Sequence, residues 1–357
     1  MALADFVRKA EHSINRAGVR RKAEAGWRPA VTGFRGYGSG RRVRVLGRVL
    51  MADPEEPGED TPITPRGVAE QAQRGWRQFF TVQVGGLPVT VRAGEQTVHT
   101  TTNANGYVDV LVNDHGLPSG WQEVTIEAEG APPQRADVLI VPSEVRTGLI
   151  SDIDDTVMVT WLPRALLAAW NSWVRHTNKR KPVPGMNDFY RELLGDDPDA
   201  PVFYLSTGAW NTYGTLVDFL AKHDLPKGPL LLTDWGPTPT GLFRSGQEHK
   251  KVQLRNLFIE FPEIQWILVG DDGQHDPLIY GEAVFEHGDR VAGVAIRQLS
   301  PSEHVLSHGT TTALTEPAQT AERGVPTILG ADGHELLDNY RRASFPLVRE
   351  QVAETPE

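Results

Sequence analysis

The sequence predicts two domains of different class: an all-β sandwich over residues 40–145, then an α/β domain with a doubly wound parallel sheet over 146–345. Three observations predict this. Between Val43 and Val141, short runs alternate apolar and polar side chains and are parted by Gly, Asn, Asp and Pro, the pattern of half-buried strands. Past Pro142, apolar runs at 147–151, 202–206, 229–233, 266–270 and 291–297 alternate with helical stretches. That reads as parallel strands covered by helices on both faces. Several of these runs end in carboxylates or hydroxyls, and in an open α/β sheet ligands collect outside the carboxyl ends of the strands.

Residues 1–39 read as a basic N-terminal helix followed by a glycine-rich linker. Over residues 2–23, Leu3, Phe6, Val7, Ala10, Ile14 and Ala17 recur at helical spacing, with Arg8, Lys9, Arg16, Arg20, Arg21 and Lys22 filling much of the remainder. An apolar stripe beside six basic side chains has the makeup of an interfacial helix, so salt-sensitive contact with an anionic membrane surface is expected here. The competing expectation is a helix docked on the β-domain. Residues 31–42 show little periodicity and read as a flexible connector; no apolar strand precedes Gly36-Tyr-Gly38-Ser-Gly40, which argues against a nucleotide loop.

The β-domain opens with Val43–Met51 and continues through 79–84, 87–92, 96–100, 107–112, 124–128 and 137–141, with a strong turn signal at Thr102-Asn103-Ala-Asn105-Gly106. The acidic, proline-rich residues 52–66 read as a solvated loop; their five acids between Asp53 and Asp60 lack the glycine-centred spacing of a calcium loop. No catalytic set clusters in this part, which suits a binding or scaffolding module.

In the α/β domain the residues 160–198 carry a broad apolar helical face (Trp161, Leu162, Leu166, Leu167, Trp170, Trp173) and then a basic run, Arg175, His176, Lys179, Arg180 and Lys181. They read either as a core-facing helix with a solvated end or as a small helical cap over the site. Residues 301–323 are polar and threonine-rich and read as a loop. A strand over 325–329 and a helix from Gly333 to about Ala343 follow, and residues 346–357 read as a fraying tail.

The chain has 357 residues, a net charge of −10 and no cysteine. Disulfides, thiolate nucleophiles and zinc–thiolate sites are thereby excluded. The net charge argues against general nucleic-acid binding. It is uneven: residues 1–50 carry twelve Lys/Arg against Asp5, Glu11 and Glu24, a balance of +9 that leaves −19 for the rest. No run approaches the roughly 18 apolar residues that span a bilayer, and no secretory signal pattern is present. A cytoplasmic protein, peripheral to membrane at most, is the expectation.

The chemistry concentrates in Asp152-Ile-Asp154-Asp155-Thr156 at the end of the first apolar run. Carboxylates at the mouth of a buried strand repel one another and are costly to desolvate, and a bound cation is the simplest compensation. Downstream stand Ser206-Thr207-Gly208, Glu248-His249-Lys250 and Gly270-Asp271-Asp272-Gly273-Gln274-His275-Asp276-Pro277. An aspartate pair, a hydroxyl, a lysine and a second acid cluster in this order resemble the haloacid dehalogenase superfamily. With Pro184-Gly185 before Phe189-Tyr190-Arg191, and Asp234-Trp235-Gly236, the wording resembles the actin-patch-protein phosphatidate phosphatase family, over roughly residues 40 to 345.

The resemblance implies a haloacid dehalogenase-like phosphatase domain with a small helical cap, and a magnesium-dependent phosphomonoesterase acting on phosphatidate. Asp152 is the expected nucleophile and Asp154 the general acid and base, its backbone carbonyl also a metal ligand by resemblance. Thr156 orders the turn, and Asp155 is expected to face solvent. Ser206, with Thr207 a near-equal candidate, hydrogen-bonds a phosphoryl oxygen, while Lys250 rather than Lys251 holds phosphate and nucleophile. Asp152 and Asp271 are the expected direct magnesium ligands, and Asp276 either orients metal-bound water or binds directly. Asp272 stands where the family commonly has a small hydroxyl residue, which leaves open which acid of the pair reaches the metal. His249 and His275 read as supporting or surface groups. The competing functions are a phosphatase of a soluble sugar or nucleotide phosphate, and a non-catalytic binding protein acting through its β-domain.

Overall fold

The structure, a computed structural model, describes residues 18–52, 82–159, 180–195, 199–233, 246–273, 275–308 and 324–343. The expected helix before residue 18, most of the acidic loop, the Trp161–Trp173 face with Arg175, His176 and Lys179, the Asp234-Trp235-Gly236 triplet and the C-terminal tail lie outside these residues. Residues 18–24 are helical. The chain divides into two compact units, the first running to Pro142 and the second starting at Ser143.

The first unit is built on β1 (Arg28–Ser39), β2 (Arg42–Ala52), β3 (Pro88–Ala93), β4 (Gln96–Thr101), β5 (Tyr107–Asn113), β6 (Gly120–Ala128) and β7 (Gln134–Val141). They form one seven-stranded sheet in the order β4-β3-β6-β7-β1-β2-β5, antiparallel except where β1 runs parallel to β7. Its two ends meet: the Glu95 amide donates to His115 O at 2.9 Å and Gln96 Nε2 to Asp114 O at 3.1 Å. The inward residues, among them Val43, Val45, Val91, Val112, Ile126 and Val138, make one core. The turn after β4 forms where expected, with Asn103 Oδ1 accepting the Asn105 and Tyr107 amides, each at 2.9 Å.

Two expectations change here. The glycine-rich stretch is not a connector; it is β1, in the middle of the sheet. The unit is therefore one curled sheet and not a two-sheet sandwich. The second correction follows from the first, because β1 is the strand that joins β7 to β2. Without it, β4-β3-β6-β7 and β2-β5 would be separate sheets. The glycines disguise the strand because they serve contact and not flexibility. A Cβ at Gly36 would collide with the Arg44 carbonyl oxygen and lie 2.9 Å from Val138 Cγ1.

The second unit holds β8 (Thr147–Asp152), α1 (Met186–Leu194), β9 (Val202–Ala209), α2 (Tyr213–Lys222), β10 (Leu230–Thr233), α3 (Gly246–Glu260), β11 (Gln265–Asp271), α4 (Asp276–His287), β12 (Val291–Arg297), α5 (Pro301–His308), β13 (Thr327–Gly330) and α6 (Gly333–Arg342). The six strands form a parallel sheet in the order β10-β9-β8-β11-β12-β13. Successive strand residues point to opposite faces. Leu149, Tyr204, Ile267 and Val269 join one core with α1, α2 and α6 through Met186, Phe189, Leu216, Phe219, Leu336 and Tyr340. Phe203 and Trp266 point the other way and stack with Phe261, just past α3.

The start of the expected 301–323 loop is a helix, α5. Ser300-Pro301-Ser302-Glu303 is a capping box: the Glu303 amide donates to Ser300 Oγ at 3.4 Å and the Ser300 amide to Glu303 Oε2 at 2.9 Å, with Pro301 at the first helical position.

The packing of β1 is directly testable. Gly36→Ala should destabilise the protein by about 1–3 kcal/mol, as overpacking does. Gly40→Ala, with no atom within 4 Å of the added Cβ, should be near neutral. Denaturant unfolding of both variants checks this; equal, negligible effects would restore the linker reading.

Candidate active site

The strand order reverses between β8 and β11. The chain adds β9 and β10 on one side of β8, then crosses to add β11, β12 and β13 on the other. The carboxyl ends of β8 and β11 flank that switch point, where an open sheet leaves a crevice. β8 ends at Asp152 and β11 at Asp271.

After Asp152 the chain turns at once. The Val157 and Met158 amides donate to Ile153 O at 3.1 and 3.2 Å, and Asp155 takes a left-handed φ of 59°. Ile153 is anchored in the core, so Asp152 and Asp154 bracket a fixed point. α3 brings in Lys250, which is only 2% exposed and whose Nζ lies 2.6 Å from both Asp152 Oδ1 and Asp276 Oδ1. Asp276 opens α4, and Gly270 makes room for it: a Cβ there would lie 2.6 Å from Asp276 Oδ2. Asp152, Asp271 and Asp276 each offer an oxygen within 4.8 Å of the others. Thr156 Oγ1 donates to Asp152 Oδ2 at 3.3 Å and reaches Asp271 Oδ2 at 3.5 Å. Ser206, within β9, donates to Asp154 Oδ2 at 2.9 Å.

The expected residues thus divide. Asp152, Asp154, Thr156, Ser206, Lys250, Asp271 and Asp276 come together. Asp272 turns away; its Oδ1 accepts the Leu299 amide at 2.8 Å and lies 3.4 Å from His304 Nε2, which leaves Asp271 as the acid of the pair in the cluster. Lys251 pairs with Glu282 on α4 at 2.5 Å. Thr207 contributes its carbonyl, which accepts from Thr233 Oγ1 at 2.9 Å. His249 Nε2 lies 3.1 Å from Leu231 O and ties α3 to β10, while His275 caps α4 through its carbonyl. Asp155 does not face solvent. It is 4% exposed, because the tight turn folds it inward, and its carbonyl accepts from Arg297 Nη1 at 2.7 Å.

Two supports escaped the sequence reading. Tyr190 OH lies 2.6 Å from Ser151 Oγ, which donates to Asp152 O at 2.6 Å, so a buried relay holds the backbone of Asp152. The polar Ser151 within an apolar strand was the available signal. Arg180, in the basic run that reads as either a solvated helix end or part of a cap over the site, has its Nη1 3.9 Å from Asp154 Oδ1 with a side chain 8% exposed. Nothing in its spacing reveals that burial.

Burial dominates the electrostatics. It pushes Asp152 up to about 8, with Lys250 opposing and Asp276 and Asp154 adding to the rise. Asp271 is raised well above the carboxylate range by burial and by Asp276, Asp152 and Asp155. Burial works to lower the Lys250 ammonium, but Asp152, Asp276 and Asp271 raise it overall. An acid raised on folding lends stability that is present in full below its unfolded value, about 4, and lost as pH rises through the folded one. With divalent cations chelated, thermal stability should therefore fall as pH climbs toward 8, and Asp152→Asn should flatten the fall. Melting curves across that range test this; a wild-type profile that rises throughout would overturn it.

Comparison with known proteins places these residues in a family context. Residues 147–298 match the family model described as phosphatidate phosphatase APP1, catalytic domain. The chain is 26% identical over 243 residues to phosphatidate phosphatase APP1 of Saccharomyces cerevisiae, covering 64% of this chain and 41% of that protein. It is also 26% identical over 267 residues to an uncharacterized protein of Schizosaccharomyces pombe, covering 70% and 43%. The chain thus spans about two fifths of the length of these curated relatives. Among solved structures, a carbohydrate acetylesterase from Xanthomonas citri aligns over 87% of this chain and 72% of its own, at a TM-score of 0.26 and 10% identity, too low to carry an argument. The gathered carboxylates, Lys250 and Ser206 all lie within the segment that matches the phosphatidate phosphatase APP1 catalytic domain, and that match supports a phosphatase hydrolase.

Proposed function

We propose that this chain hydrolyses a phosphomonoester in a magnesium-dependent reaction through an aspartyl-phosphate on Asp152, with phosphatidate as substrate and diacylglycerol as product. The observation that carries this reading is the buried Lys250 ammonium shared by Asp152 and Asp276 at 2.6 Å, with Asp271 in the same cluster. The lipid substrate rests on the name of the yeast relative.

The donor set fits magnesium. Asp152, Asp271 and Asp276 offer only carboxylate oxygens, which suit a hard cation, and one lysine does not neutralise three buried acids. The ion, when bound, would supply charge neutralisation for the phosphoryl group. The residues of the chain do the rest. An Asp152 oxygen attacks phosphorus, and the bond to the ester oxygen breaks with its electron pair leaving on that oxygen. Asp154 gives the leaving oxygen a proton. Water then attacks phosphorus, Asp154 takes a proton back, and the bond to Asp152 breaks, releasing inorganic phosphate and regenerating the carboxylate. Lys250 offsets the charge on Asp152 throughout. Ser206 holds Asp154 in place and, on rotating its hydroxyl, reaches toward a phosphoryl oxygen.

Phosphate release from a panel of phosphomonoesters, phosphatidate in mixed micelles among them, tests the reading. Asp152→Asn should lower turnover by about a thousandfold or more while the protein stays folded. Near-normal turnover by that variant, or activity surviving exhaustive chelation, would refute the mechanism. Asp154→Asn should slow alkyl phosphates more than activated aryl phosphates, because only the former need a proton on leaving; equal losses would remove its general-acid role. Preference for a soluble sugar or nucleotide phosphate over phosphatidate would replace the lipid substrate.

A further inference from the structure

We propose that Arg180 is a second cationic substrate-binding group of this site, donating to the phosphoryl oxygens beside Asp154. The proposal rests on the phosphatase reading above and adds a residue to it. Arg180 stands where the chain returns to the turn that follows Asp154. The Val159 amide donates to Lys181 O and the Val183 amide to Val157 O, each at 3.0 Å, and Met158 pairs with Pro182. These bonds pin residues 180–183 beside the catalytic turn.

The guanidinium is thereby enclosed next to the site and not in solvent. Its Nη1 lies 3.6 Å from Met158 Sδ and 3.9 Å from Asp154 Oδ1. The second distance is charge proximity and exceeds hydrogen-bond length. Burial pushes the Arg180 pKa down to about 10, with Asp154 and Asp155 opposing, so the group stays charged at neutral pH and is held there at a desolvation cost.

Charge balance gives that cost a purpose. The crevice gathers Asp152, Asp154, Asp155, Asp271 and Asp276, and Lys250 is already divided between two of them. A phosphomonoester brings up to two more negative charges. Arg180 flanks the side of the crevice opposite in role to Lys250: Lys250 serves the nucleophile, Arg180 the acid. A planar guanidinium can give two parallel N–H bonds to a phosphate, which a lysine cannot.

The experiment measures binding of inorganic phosphate by titration calorimetry, with magnesium present, for wild type, Arg180→Ala and Arg180→Lys, together with KM and kcat on the same proteins. Arg180→Ala should weaken phosphate binding and raise KM by about tenfold or more, the scale of a charge-assisted hydrogen bond. Arg180→Lys should recover part of the loss, and added guanidinium at millimolar concentration should improve the alanine variant but not wild type. If the alanine variant fails to fold, Arg180→Gln replaces it and should show the same loss with a near-native melting temperature. Unchanged phosphate affinity and KM in a folded variant would overturn the proposal and leave the phosphatase reading intact. Wild type that binds phosphate through Arg180 yet hydrolyses no ester would overturn the phosphatase reading alone. Wild type that neither binds nor hydrolyses would overturn both.

Discussion

The Lys250 ammonium, held between Asp152 and Asp276, is the interaction on which the proposed chemistry of the α/β unit depends. It links three elements that share no local sequence: the end of β8, the interior of α3 and the start of α4. Removing one partner from such a buried cluster leaves an uncompensated charge, which costs far more than the net worth of an exposed pair. The cluster is also incomplete by design. Burial raises Asp152 and Asp271 because one lysine does not satisfy the acids around it. The fold therefore stores an electrostatic deficit at the crevice, which the proposed magnesium ion and anionic ester would relieve.

Precision at that point comes from backbone, not from loops of side chains. Asp152 is a strand residue in a parallel sheet with neighbours on both sides, and its carbonyl is held by Ser151 under Tyr190. Behind Asp271, the Val269 carbonyl accepts from Tyr280 OH at 2.9 Å, so α4 is tied to the same strand whose end it helps to furnish. Arg297 extends the clamp by joining the Asp155 carbonyl to Glu303 on α5 and to Ala331 O. A reacting group carried on rigid elements and braced from behind loses little freedom when substrate arrives.

Much of this was legible in the sequence, for identifiable reasons. Apolar runs that end in acids mark strand mouths, so Asp152 and Asp271 could be placed at the same edge of a sheet before any pairing was known. Lys250 was separable from Lys251 by the wording around it. What escaped was whatever depends on distant neighbours. Asp155 looked solvent-facing because its partner, the Arg297 guanidinium, comes from a strand far along the chain. Arg180 stays open between a solvated helix end and a cap because its neighbours in sequence are basic, while in space it lies beside Asp154 and Met158. The strand β1 was hidden by its glycines, since local propensity cannot distinguish a glycine that permits bending from one that permits a carbonyl to approach. The capping box at Ser300 is readable in the sequence, but the threonines after it suggest a loop.

The place of β1 has a consequence for how the β unit assembles. The earliest described strand of the chain occupies the interior of the sheet, paired locally with β2 but also with β7, whose partners lie a hundred residues later, Gly36 opposite Val138. Four of its pairs, Gly36–Ser39 against Val138–Val141, form only after the whole unit has been synthesised, which raises the contact order and slows closure. Until β7 has been made, the edge of β1 that pairs with it is open. An open strand edge is a template for pairing with another chain, so strand exchange during that interval would run along β1.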